Sequence, residues 1–188
     1  MLIYVHKLNV FSLTSVERMG GVLSWVQQYF EEEKFVVVLG LDGAGKTALV
    51  HRLRFGEANE PLPTMGFLIH NVLLHNRNMQ IADTCGQDKV RDLWGCMYHS
   101  ADGIVFVLDG TDRERLPLAL TELNRVQGYP MLEDKPFLIL VNKQDENAVR
   151  SEELKAEVCE GMWRMFDVSV KTGQGIDEAF TWLDANLR

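Results

Sequence analysis

Eight residues, Gly40-Leu41-Asp42-Gly43-Ala44-Gly45-Lys46-Thr47, constrain this fold more than any others in the chain. They fit the spacing G-x-x-x-x-G-K-[ST], which works only between a strand that leads into it and a helix that leaves it. Both flanks are present. Phe35-Val36-Val37-Val38-Leu39 is a β-branched apolar run, and Ala48 to Arg54 carries a helical pattern. The glycines let backbone N–H groups turn inward around one anion. The helix start adds the positive end of its dipole. Lys46 can reach the β- and γ-phosphates of a nucleotide, and the Thr47 hydroxyl can ligate Mg2+.

The remaining segments alternate between strand and helix. Strands are expected at Phe35–Leu39, Gly66–Leu74, Met79–Ala82, Gly103–Leu108, Pro136–Val141 and Met165–Val168. Helices are expected at Lys46–Arg54, Leu116–Val126, Ser151–Val158 and Ile176–Leu187. This order predicts an α/β fold: a mostly parallel six-stranded sheet, one antiparallel edge hairpin, and helices on both faces. The hairpin is expected where the polar stretch His75-Asn76-Arg77-Asn78 separates two strands. Gly103–Leu108 and Phe137–Val141 are apolar throughout, as strands covered on both sides should be.

Composition narrows the function. The net charge of −8 argues against nucleic acid as a direct partner. Cys85, Cys96 and Cys159 are odd in number, lack metal-ligand spacing and read as reduced thiols. No apolar run approaches the ~18 residues of a membrane-spanning helix. Lys7 and Asn9 interrupt the apolar start of the chain, and no small-residue cleavage site follows.

Asn142-Lys143-Gln144-Asp145 selects the base. It stands at the C-terminal end of a buried strand, where open α/β sheets bind ligands. The Asp145 carboxylate can accept two hydrogen bonds from the N1–H and 2-amino edge of guanine. Adenine cannot offer that pair, and an unpaired carboxylate is costly. An ATP-using kinase is therefore the weaker reading. Asp83-Thr84-Cys85-Gly86 has the form D-x-x-G after the second hairpin strand. Asp83 is placed to hold Mg2+ through water, and the Gly86 N–H to meet a γ-phosphate. Gln87 follows and can orient a water for in-line attack. Thr64, in Pro63-Thr64-Met65-Gly66-Phe67, can ligate Mg2+ only when the γ-phosphate is present, which would order its loop with GTP and release it with GDP.

Together these residues resemble the Ras-like small GTPases, and within them the ADP-ribosylation-factor (Arf/Arl) family. The resemblance covers about residues 20–188. It rests on G-L-D-G-A-G-K-T, P-T-M-G-F, N-K-Q-D, the stretch from Asp83 to Trp94 that includes Q-D-K-V-R-x-L-W, and the ending Gly173-Gln174-Gly175-Ile176-Asp177-Glu178-Ala179-Phe180-Thr181-Trp182-Leu183. Ser169-Val170-Lys171 is similar to the S-A-K loop that backs guanine in this class. The ending Asn186-Leu187-Arg188 carries no prenylation cysteine, which argues against the Rab, Rho and Ras branches. The resemblance implies a monomeric GTP/GDP switch with Mg2+ that hydrolyses GTP slowly. Its implied partners are exchange factors, activating proteins, effectors of the GTP form and a membrane surface. Its implied place is the cytoplasm and endomembranes such as the Golgi, in vesicle trafficking. A GTP-bound scaffold that does not cycle is the alternative.

Met19-Gly20-Gly21-Val22-Leu23-Ser24 matches the N-myristoylation signal M-G-x-x-x-[ST], which acts only if Met19 starts translation. Residues 1–18 would then be an upstream extension; the other reading is a chance internal match behind a real N-terminal extension. Residues 19–33 form an expected amphipathic, lipid-bearing segment and 34–188 the GTPase domain. Val22, Leu23, Trp25, Val26, Tyr29 and Phe30 make one apolar helix face. Family members tuck this helix against the body with GDP and release it to the membrane with GTP, as the hairpin slides in register.

The chain also departs from the family pattern W-D-x-G-G-Q. Ala82 stands where the tryptophan would be, and Cys85 where the first glycine would be. Phe67 matches the first member of the family's exposed aromatic triad, but Ala82 and Met97 take the other two places, with Tyr98 positioned to compensate. Leu68 and His70 replace residues that are typically Asn and Glu. The family's usual effectors and exchange factors are therefore not carried over.

Overall fold

The computed structural model describes residues 33–58, 64, 66–75, 77–87, 91 and 94–187. The extension 1–18, Gly20, the apolar face from Val22 to Phe30, Pro63 and Met65 lie outside the described residues.

Six strands form one sheet: β1 (Lys34–Leu39), β2 (Phe67–Leu74), β3 (Arg77–Thr84), β4 (Gly103–Asp109), β5 (Phe137–Asn142) and β6 (Trp163–Asp167), in the spatial order β2-β3-β1-β4-β5-β6. Only β2 and β3 pair antiparallel; every other neighbouring pair is parallel. The fold class is as the sequence predicts. Five α-helical segments are described: α1 (Lys46–Phe55), α2 (Gly95–Tyr98), α3 (Leu116–Gln127), α4 (Ser151–Leu154) and α5 (Ile176–Asn186).

Strand alternation explains the two cores. In β1, Val37 and Leu39 point to one face, where they meet α3 through Leu120, Leu123 and Val126. Val36 and Val38 point to the other, with Leu49 and Val50 of α1 and Phe180 and Leu183 of α5. Because successive side chains alternate, a strand covered by helices on both faces must be apolar at every position. The patterns of β1, β4 and β5 follow from that.

Several boundaries differ from expectation. The hairpin turn is shorter than the polar stretch suggests, because Arg77 pairs with Leu74 and Asn78 with Leu73. Polar residues are tolerated there since both partially face solvent at the sheet's end. β3 runs on past Ala82 to Thr84, because Asp83 keeps a partner on each side, Leu68 in β2 and Val38 in β1. β6 starts earlier and ends at Asp167, in register with β5 from Phe137 opposite Trp163. The helix expected at Ser151–Val158 is one α turn followed by a 3-10 turn, Lys155–Glu157. Its start is set by Glu153, whose carboxylate accepts from the Arg150 N–H at 2.9 Å.

Leu123 is fully buried between α3 and the sheet. Leu123→Ala should cost about 2–5 kcal/mol. Urea unfolding should show a lower midpoint at unchanged slope.

Candidate functional site

Three loops meet at the C-terminal ends of β1, β3 and β5. Residues 40–45 follow β1, residues 85–87 follow β3, and residues 143–145 follow β5. Parallel pairing of β1 with β3 and β4, and of β4 with β5, puts these ends on one rim.

The loop from Gly40 to Gly45 turns tightly, with Gly43 at φ 76° and Gly45 at φ 98°. Gly45 also has no room for a side chain: a Cβ there would lie 2.5 Å from Asn142 Nδ2. Lys46 opens α1 and is buried, its ammonium donating to Leu41 O at 2.7 Å. Burial pushes its pKa down to about 8, against an opposing pull from the Asp83 carboxylate. An arriving phosphate would favour the charged ammonium.

Gly86 lies directly on this loop. A Cβ on Gly86 would sit 2.4 Å from Asp42 N and from the Leu41 carbonyl carbon, so no other residue fits. Its carbonyl accepts from Arg91 Nε at 3.0 Å, and the Arg91 guanidinium stands 3.5 Å from Glu122 on α3. Cys85 is buried, donating its N–H to Gly66 O at 2.8 Å, while its own carbonyl accepts from the Trp94 indole at 3.1 Å. Gln87 is exposed beside Gly86.

Thr47, Thr64 and Asp83 converge beside Lys46. Thr64 Oγ1 donates to Asp83 Oδ2 at 3.0 Å and lies 2.8 Å from Thr47 Oγ1. Since the Thr64 proton goes to Asp83, Thr47 is the donor between the hydroxyls. Asp83 is fully buried, yet its Oδ1 has no hydrogen-bond partner. An orphaned buried carboxylate oxygen is costly unless a cation meets it. One carboxylate and two hydroxyls are hard oxygen donors of the kind Mg2+ takes, with water and phosphate completing its octahedron. The residues present therefore fit Mg2+.

At the other end, Ser169 Oγ donates to Asp145 Oδ1 at 2.6 Å, and Lys171 Nζ stands 3.5 Å from Oδ2. The Ser169 hydroxyl, first, then Lys171 hold the Asp145 pKa below the ordinary carboxylate value. Lys143 sits at φ 67° and donates to Asp109 Oδ2 at 2.5 Å. Asn142 is buried, with both ends of its amide engaged: Nδ2 donates to Ala44 O and Oδ1 accepts from Val170 N–H, each at 2.9 Å.

Each described candidate thus lies on this rim, from Gly40 through Lys171. Sequence reasoning missed the residues that brace it. Asp109 anchors Lys143. Arg115 bridges Asp112 and Asp42, at 2.6 and 3.2 Å. Arg91 holds Gly86. Asp109 and Arg115 belong to no local spacing pattern, so only the fold brings them in, whereas Arg91 lies in the Q-D-K-V-R-x-L-W stretch, which gave it no role of its own. Tyr98 does not compensate at the surface for the missing aromatics: Ala82, Met97 and Tyr98 are all buried in the same core as Trp94, with the Tyr98 ring against Tyr129.

The sequence profile of the ADP-ribosylation factor family (Arf) matches residues 19–187. The chain is similar to ADP-ribosylation factor-like protein 1 of Drosophila melanogaster, 34% identical over 181 residues, covering 90% of this chain and 98% of the relative. It is equally similar to the protein of that name from Caenorhabditis elegans, 34% identical over 177 residues, with the same shares covered. Among solved structures it resembles the small GTPase Arl6 (BBS3) of Trypanosoma brucei, bound to the nucleotide analogue GppNp. That match has a TM-score of 0.75 and 25% identity, and covers 83% of this chain and 98% of the other.

Asp145→Asn should reverse base choice. An amide can accept from N1–H and donate to the 2-oxo group of xanthine, but it cannot accept from both guanine donors. Competition binding should show guanine nucleotide affinity falling by ~10²-fold or more and xanthine nucleotide affinity rising.

Proposed function

The chain belongs to the ADP-ribosylation factor family of small GTPases, and from that premise we propose that it is a Mg2+-dependent switch working at a membrane surface. The family binds GTP and hydrolyses it to GDP, and this chain does the same. The residue roles, the metal, the lipid and the trafficking context are the proposal.

One observation carries it most: Thr64 reaches Thr47 and Asp83 at 2.8 and 3.0 Å. Thr64 comes from the segment ahead of β2, Thr47 from the phosphate helix and Asp83 from β3. A contact joining three separate segments forms or breaks as a unit, which a ligand-controlled switch needs. In this reading the N–H groups of residues 40–45 and the Lys46 ammonium hold the β- and γ-phosphates. Thr47, Thr64 and Asp83 hold Mg2+, which when bound would neutralise charge on the phosphate oxygens. The Gly86 N–H meets the γ-phosphate, and Gln87 orients the attacking water. Asp145 reads guanine, with Asn142, Lys143, Ser169, Val170 and Lys171 shaping its loop.

Among the described residues, the arginines that touch the loops of the site are already paired. Arg91 is turned to Gly86 O and Glu122, and Arg115 to Asp42 and Asp112. Intrinsic hydrolysis is therefore slow, and an activating protein supplies the missing charge, worth ~10³–10⁵ in rate. Gln87→Leu should lower single-turnover hydrolysis at least ~10-fold while leaving GTP affinity unchanged. Equal rates would favour the non-cycling scaffold instead.

The family profile begins at residue 19, which supports Met19 as the start, residues 1–18 as an upstream extension and Gly20 as the myristoylated residue. One acyl chain binds membranes only marginally, so the apolar face from Val22 to Phe30 supplies the second anchor. On β2, Phe67, Leu68, Ile69 and Leu73 are all exposed. GTP-coupled release of the N-terminal segment is part of this reading. A shift from the present register, with Phe67 opposite Thr84, would release it. Among the described residues no helix is long and apolar enough to cross a membrane. Trafficking at an endomembrane, under an exchange factor and effectors, is the role this supports. The N-terminal peptide from native cells should begin at acylated Gly20; an unmodified Met1 would remove the lipid from the proposal.

A further inference from the structure

Arg52 lies on the outer part of α1, outside every motif of the nucleotide site. Among the described residues its guanidinium pairs with carbonyls rather than with a carboxylate. Nε donates to Val170 O, Nη2 to Lys171 O at 2.7 Å, and Nη1 to Gly56 O at 3.1 Å. Gly173 packs against the same group at φ 90°, so closely that a Cβ would lie 2.8 Å from Nη1. One rigid planar fork therefore fastens the loop after β6 to the phosphate helix with charge-assisted bonds.

That loop is what steadies Asp145. Ser169 Oγ holds one carboxylate oxygen and Lys171 stands by the other, and Arg52 grips the carbonyls of Val170 and Lys171 between and beside them. The geometry points to Arg52 as a specificity-determining positioning residue, acting on the base through Val170 and Lys171. This rests on the reading of Asp145 as the guanine acceptor. Guanine gives one carboxylate two hydrogen bonds, and both form only if the carboxylate is fixed in the base plane. Hypoxanthine keeps N1–H but lacks the 2-amino group, so it makes one. Loosening the loop loses the second bond first. It costs GDP more than IDP, and leaves the phosphate cradle of residues 40–47 intact.

The test measures dissociation constants of Mg·GDP, Mg·IDP and inorganic triphosphate with the full chain and its Arg52→Ala and Arg52→Lys variants. Wild type should prefer GDP over IDP by ~10-fold or more, the worth of one hydrogen bond to a charged group. Arg52→Ala should shrink that preference by about 5-fold or more, with triphosphate binding unchanged within about 2-fold. Arg52→Lys, which keeps one charged donor but not the fork, should recover part of the preference. Equal losses for all three ligands, or an unchanged GDP:IDP ratio, would overturn the inference and reduce Arg52 to support for α1. If Arg52→Ala does not fold, the ratio in Arg52→Lys decides: a full wild-type preference overturns the role. A wild type indifferent between GDP and IDP would instead sink the guanine reading itself.

Discussion

The Asn142 side chain joins parts of the molecule that the sequence keeps far apart. Its amide N–H reaches Ala44 O across 98 positions, and its carbonyl takes the Val170 N–H across 28. Being buried, this amide cannot exchange its partners for water, so losing either leaves an unmet polar group. It also leaves no room at Gly45. The phosphate loop, the base loop and the loop after β6 thus hang from one side chain at the end of β5. The spacing between phosphate and base ends of the site is a property of the sheet, transmitted by that amide. Arg52 makes a second, independent tie between the phosphate helix and the same distal loop.

At the phosphate end the arrangement is electrostatically costly when no ligand is present. Lys46 is pressed toward neutrality by burial, and Asp83 keeps an oxygen with no partner. The arrival of a polyphosphate with its cation, as proposed, would relieve both costs at once. The protein has already ordered these groups, so binding does not have to. A site built this way should be most stable when filled, because a ligand that binds only the folded state adds to its stability.

The face that would meet partners is altered in a coherent way. Ala82 pairs with Ile69 in β2 and Val37 in β1, and it is buried beside Trp94 and Tyr98. A tryptophan at that position would need the volume these residues fill. What remains exposed along β2 is Phe67, Leu68, Ile69 and Leu73, an aliphatic edge with one aromatic. Interfaces draw much of their energy from a few aromatic anchors, so exchanging them changes which partners fit. The residues proposed to hold the nucleotide keep their ties to one another, while the exposed edge of β2 carries a single aromatic side chain.

Local chemistry determined much of this protein. The glycines, Lys46 and Thr47 stood out because a phosphate cradle of the kind proposed demands a fixed order of residues over a few positions. The buried strands could be recognised because covering both faces demands unbroken apolar runs. Asp145 and the Asp83–Gly86 stretch stood out for the same reason, each being a short pattern at a strand end. The tertiary structure alone decided what lies between such patterns. β3 extends through Asp83 because strands on both sides keep pairing, and the helix after Val149 breaks after one turn, neither of which a single stretch of sequence specifies. Arg52, Asp109 and Arg115 took their places because contacts between residues distant in sequence are set by how elements pack. Hydrogen bonds of that kind have no period and no spacing, so they become visible only when the chain is folded.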